Sequence, residues 1–129
     1  MRLPLIAGLL VLAAPAAAQD WNCKDPALPQ QGMNHCAHED YLDADAQLNA
    51  TYQEVVAFLR TLPPRPDGTD EVEGLREAQR AWIAYRDLAC VAEGVSFRGG
   101  TMEPLIVSSC LARLTRDRTG DLSLLLPQG

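Results

Sequence analysis

The chain has 129 residues, 47% of them hydrophobic, with 11 basic against 17 acidic side chains and a formal net charge of −6. That length supports a single small domain, and the acidity argues against nucleic acid as a partner. Four cysteines in so short a chain read as the disulfide framework of an exported protein, and the absence of any Cys-x-x-Cys argues against thioredoxin-type redox chemistry.

The first eighteen residues read as a secretory signal peptide. Arg2 supplies the positive start, an apolar run occupies 5–13, and Ala16, Ala17 and Ala18 form a small-residue cleavage signal with the cut after Ala18. The run is shorter than the roughly 20 residues that a membrane-spanning helix needs. Gln19, not a cysteine, follows the cut, so the mature domain, 19–129, is expected to be periplasmic or secreted, with neither a lipid anchor nor a membrane span.

An extended arm over 21–32 follows, broken by Pro26, Pro29 and Gly32 and fixed by Cys23. Asn34 is suited to cap a first helix that reaches about residue 62. Along it Ala37, Tyr41, Ala44, Leu48, Tyr52, Val55, Leu59 and Leu62 hold one apolar face. Pro63, Pro64 and Pro66 stop that helix. Thr69 or Asp70 caps a second, which runs to Glu93 with Leu75, Ala78, Trp82, Tyr85 and Ala89 as its apolar stripe and Gln79 and Arg86 on the stripe's edge. Gly94 ends it and a short loop leads to Thr101, a suitable cap for a third helix carrying Pro104 in its first turn. Val107, Leu111, Leu114 and Leu122 line this last helix, which Gly120 could end early. No strand-like alternation occurs, so the expected fold is all-α: an antiparallel hairpin of two long helices plus a third.

Folding the chain at the proline corner sets Asp45 opposite Arg86 and brings Asn49 or Tyr52 near Gln79, a polar cluster inside the helix pair. Such a cluster fixes register more than it adds stability. The favoured disulfides are Cys23–Cys36, pinning the arm, and Cys90–Cys110, stapling the third helix across the glycine loop; Cys36–Cys90 with Cys23–Cys110 is the alternative. His35, Cys36, His38, Glu39 and Asp40 do not make a convincing metal site, because Cys36 is used in a disulfide and the acids suit a helix start. No serine has a motif placing a base beside it, so neither a cofactor nor an enzymatic activity is expected. The sequon Asn49-Ala50-Thr51 falls inside a helix, where it reads as fortuitous.

Cys36-Ala37, Tyr41, Ala44-Asp45, Leu48-Asn49, Tyr52, Gln79, Trp82, Tyr85-Arg86-Asp87, Cys90, Gly99-Gly100-Thr101 and Cys110 together form a series that resembles the LprI-like lysozyme inhibitor family. The resemblance covers the mature chain and implies a helical, disulfide-bonded periplasmic domain that in some members inhibits lysozyme. The loop of Ser96, Phe97, Arg98, Gly99, Gly100 and Thr101 is the candidate recognition element, since Phe and Arg commonly anchor interfaces. On this reading Arg98 meets the carboxylates of a muramidase cleft while the acidic helices face a basic partner. The alternative is an envelope module that binds another component without inhibiting it.

Overall fold

A computed structural model describes residues 20–127 as three α-helices in sequence. α1 spans Gln30–Leu59, α2 Glu71–Glu93 and α3 Glu103–Ser123, and a 3-10 turn over Gly94–Phe97 links the last two. The expected signal peptide, 1–18, lies outside the described residues.

α1 starts four residues before Asn34. Pro29, extended at φ −67° and ψ 162°, precedes its first turn without a side-chain cap. Asn34 instead sits inside the helix, where its Nδ2 donates to the Thr101 carbonyl at 2.9 Å. Gly32, which resembles a breaker in the sequence, is buried beneath the arm: a Cβ there would stand 2.8 Å from both Leu28 Cδ2 and Trp21 Cε3. The glycine is thus a seat for the arm, and the Cys23–Cys36 disulfide holds the arm across it. At the other end α1 stops at Leu59, leaving Leu62 in the exposed linker. Within that linker Gly68 takes φ +76°, and Asp67 Oδ1 accepts the Thr69 N–H at 3.0 Å, closing the turn before α2.

Asp70 caps α2 by accepting the Glu73 N–H at 3.0 Å, and Glu71 and Glu73 occupy the first turn, where the helix dipole favours them. Gly94 ends α2 as expected, for a steric reason: a Cβ would meet Val107 Cγ2 at 2.8 Å. Thr101 does not cap α3, which begins after Met102 with Pro104 in its first turn. Nor does Gly120 end it. The helix passes through to Ser123, placing Leu122 fully inside the core.

Asn34 of α1 meets Thr101 just before α3, while Val55, Val56 and Leu122 share one cluster further along. α1 and α3 therefore run parallel, with α2 antiparallel to both. The hairpin register holds, since Asp45 does reach Arg86, yet the closest backbone partner of α1 is α3 rather than α2. Side-chain size explains this. Ala44 on α1 and Ser108, Ala112 and Thr115 on α3 are small and all buried, which lets those two helices come together. The space between α1 and α2 must instead hold Tyr41, Trp82 and Arg86. The apolar core lies toward the proline corner, where Leu48, Val55, Val56, Leu75 and Leu122 are buried and Tyr52, Leu59, Val72 and Trp82 pack around them. Each such side chain contributes about 1.5–3 kcal/mol of burial. The opposite end carries both disulfides, Cys23–Cys36 and Cys90–Cys110.

Candidate functional site

The buried face of α2 is Leu75, Gln79, Arg86 and Cys90, with Trp82 half-buried. It is rotated from the stripe expected on hydropathy, for Ala78 and Tyr85 lie outside. Arg86 moves from the edge of the packed face to its middle and is only 5% exposed. Its Nη1 donates to Asp45 Oδ1 and to Thr115 Oγ1, both at 3.3 Å, and its Nε donates to Asp87 Oδ1 at 2.9 Å. The guanidinium lies 5.1 Å from the Trp82 ring and 5.3 Å from that of Tyr41, so two aromatic faces enclose the cation. Burial pulls its pKa down. The hydrogen bond to Asp87, the electrostatic influence of Tyr41 and Asp87 and the bond to Asp45 together outweigh that pull, and the net shift is upward.

The rest of the expected cluster is divided. Asn49 donates to Asp45 Oδ2 at 3.1 Å and stays at the surface. Gln79 is buried, and its Oε1 accepts from Arg118 Nε at 3.1 Å. Asn49, Tyr52 and Gln79 line one shallow cleft of about 240 Å³ between α1 and α2, as the hairpin register implied. Sequence reasoning missed the contribution of α3, namely Thr115 and Arg118. The available signal was spacing: Thr115 stands seven residues after Ser108 and seven before Leu122, on the seam that faces α1.

The loop 96–101 sits at the disulfide end, and three attachments hold it. Cys90–Cys110 closes its base. Gly99, at φ +75°, donates its N–H to Glu103 Oε2 at 2.7 Å, and the Gly100 N–H reaches the Phe97 carbonyl at 2.9 Å. The Thr101 carbonyl is tied to Asn34 of α1. On this frame Phe97 is 37% exposed and Arg98 is exposed, with no carboxylate among the described residues paired to it. A shallow depression of about 350 Å³ lies between them and Met102.

Other charges are used internally. Asp40 pairs with Arg116, whose pKa is raised chiefly by that hydrogen bond, while His35 and His38 are exposed. A cleft of about 540 Å³ at the proline corner contains Arg65 and Arg76, but Glu71 and Glu73 already engage them.

A family model described as "Lysozyme inhibitor LprI" matches residues 23–122, from the first disulfide cysteine to the last buried leucine of α3. The chain belongs to the LprI lysozyme inhibitor family. The LprI match takes in the arm disulfide, the Arg86 cluster and the loop 96–101 together. Uncharacterized protein R02472 of Rhizobium meliloti (strain 1021) is 45% identical over 130 residues, covering 95% of this chain and 93% of that protein. Uncharacterized protein YecT of Escherichia coli (strain K12) is 36% identical over 62 residues, covering 45% of this chain and 38% of its own. No solved structure shows a significant match.

Proposed function

We propose that this LprI-family chain is an exported, non-enzymatic protein-binding domain that inhibits a lysozyme-type muramidase by seating the loop 96–101 in the substrate cleft. One observation carries this reading: an aromatic and an unpaired cation stand side by side on a loop clamped by a disulfide and by backbone hydrogen bonds. A loop held in this way loses little freedom on binding, which favours affinity. Arg98 is suited to the carboxylates of a muramidase cleft, and the net charge of −6 complements a basic enzyme. Two disulfides fit an oxidising compartment. No helix among the described residues is long and apolar enough to cross a membrane. The test is inhibition of cell-wall lysis by the purified, oxidised domain. Phe97→Ala with Arg98→Ala should weaken inhibition about 10-fold or more, as loss of an interface anchor does. Undiminished inhibition by the double variant removes the loop from the mechanism.

A further inference from the structure

The rotation of α2 that buries Arg86 leaves an apolar face on the far side of the helix. Tyr85 is 62% exposed, Leu88 73%, Val91 62% and Val95 54%. Tyr85, Leu88 and Val91 share at 100° per residue a stripe with Ala78, Ala81 and Ala84, all exposed, and Val95 follows in the 3-10 turn beyond the helix. The stripe is divided by size, with small residues in the first half and large ones in the second. A second copy laid antiparallel, with the two-fold axis between Ala84 and Tyr85, matches the halves. Leu88 then falls opposite Ala81 of the second copy at the centre of the face, with Tyr85 at the level of its Ala84 and Val91 at the level of its Ala78. Large side chains stand level with small ones along the contact, as close helix packing requires.

The flanking charges agree with this register. Arg80 and Asp87 lie seven residues apart on one side of the stripe, and in a two-fold antiparallel pair like flanks adjoin. The axis brings Arg80 within two residues, about 3 Å along the helix, of the level of Asp87 in the second copy. Arg80 has no ion-pair partner among the described residues. Asp87 uses Oδ1 for Arg86 and has its other carboxylate oxygen available. Symmetry makes the Arg80–Asp87 pair twice. Glu77, also on this face, falls opposite Ala92 near the rim, where its carboxylate stays in water.

We propose that two copies of this chain associate through the outer face of α2 in this antiparallel register. The stripe residues of both copies amount to roughly 1,000 Å² in total, the lower edge of a specific interface, which suits a reversible dimer rather than a permanent one. Because the axis lies mid-helix, the dimer carries its two loops at opposite ends, and self-association is independent of the inhibitory reading.

Sedimentation equilibrium of the oxidised mature chain from about 1 µM to about 1 mM should show its mass rising from one chain to two. Leu88→Asp and Arg80→Asp, both at exposed positions, should fold normally by circular dichroism and weaken the dimer at least about 10-fold. Ala84→Cys should cross-link to itself under mild oxidation, whereas Leu88→Cys should cross-link efficiently only with Ala81→Cys. A wild-type chain that stays monomeric throughout, a dimer indifferent to Leu88→Asp, or self-cross-linking of Leu88→Cys equal to that of Ala84→Cys each overturns the proposal. A monomeric chain in which Leu88→Asp abolishes lysozyme binding also overturns it and assigns the face to the enzyme.

Discussion

Removing Arg86 separates two accounts of why a cation is buried among three helices. Its side chain is 7% exposed, against 36% for Asp45 and 55% for Asp87, so both carboxylates can return to water when the guanidinium is lost. Thr115, at 0% exposure, cannot, and it loses the donor that satisfied its hydroxyl, at a cost of about 1–3 kcal/mol. The contacts to Trp82 and Tyr41 add about 0.5–1 kcal/mol each. Arg86→Ala should therefore destabilise the domain by about 2–5 kcal/mol, the sum of those losses. Arg86→Met keeps an aliphatic stem between the rings and should cost about half as much. Asp45→Ala, which removes a partly solvated partner 3.3 Å away, should cost only about 0.5–1 kcal/mol. Urea titration of the oxidised proteins, followed by tryptophan fluorescence and circular dichroism, gives all three values on one scale. Should Asp45→Ala prove as costly as Arg86→Ala, the ion pair and not the aromatic enclosure holds the helices. A cost below about 1 kcal/mol for Arg86→Ala would refute the whole account.

Three further outcomes follow from local geometry. Gly32→Ala should lift the arm from α1, since its Cβ would press on Leu28 and Trp21, and should cost about 1–3 kcal/mol; Gly120→Ala, with open space around it inside α3, should instead add about 0.5–1 kcal/mol in the same titration. Replacing Cys90 and Cys110 by serine should lower the melting temperature more than replacing Cys23 and Cys36, although each loop closure is worth about 3 kcal/mol in the chain-entropy model. The second pair restrains only the arm, and its loss should appear mainly as faster proteolysis within 20–29. The carboxyl of Asp67 is held below its ordinary 3.8 first by the Thr69 N–H, then by the Thr69 hydroxyl and by Arg65. A depressed carboxylate favours the folded turn above its unfolded pKa and loses that advantage as pH falls through the folded value. The Thr69 amide resonance should therefore titrate with a midpoint below 3.8, and a midpoint above that would contradict the hydrogen bond.

Much of this architecture was legible because it is written in local signals. Three prolines fix the corner, Asp70 with Glu71 and Glu73 fixes the start of α2, and a long apolar face defines α1. The Asp45–Arg86 pairing followed from linker length together with the place of both residues at the edge of an apolar stripe. The orientation of α2 did not follow, because Tyr85 is more apolar than Arg86 and hydropathy alone turns it inward. Arg86 goes inside because Asp45 on α1, Thr115 on α3 and two aromatic rings converge on one point, and no single stretch of sequence carries that convergence. The α1–α3 seam was hidden for a similar reason. Its small residues look like weak helix packing until a second small surface is placed against them. At the loop, the sequence marked Phe97 and Arg98 but not the attachment to α1 through Asn34, which lies 67 positions away in the chain.

Both bridges join each cysteine to the next one along, over separations of 13 and 20 residues. Short spans close fastest, so a polypeptide oxidised in the order of its synthesis meets its correct mate first and has no earlier thiol left over to mispair. Reaching the native connectivity from nascent chain should then need an oxidant but little reshuffling by an isomerase, whereas recovery from a scrambled, fully denatured mixture should depend on one.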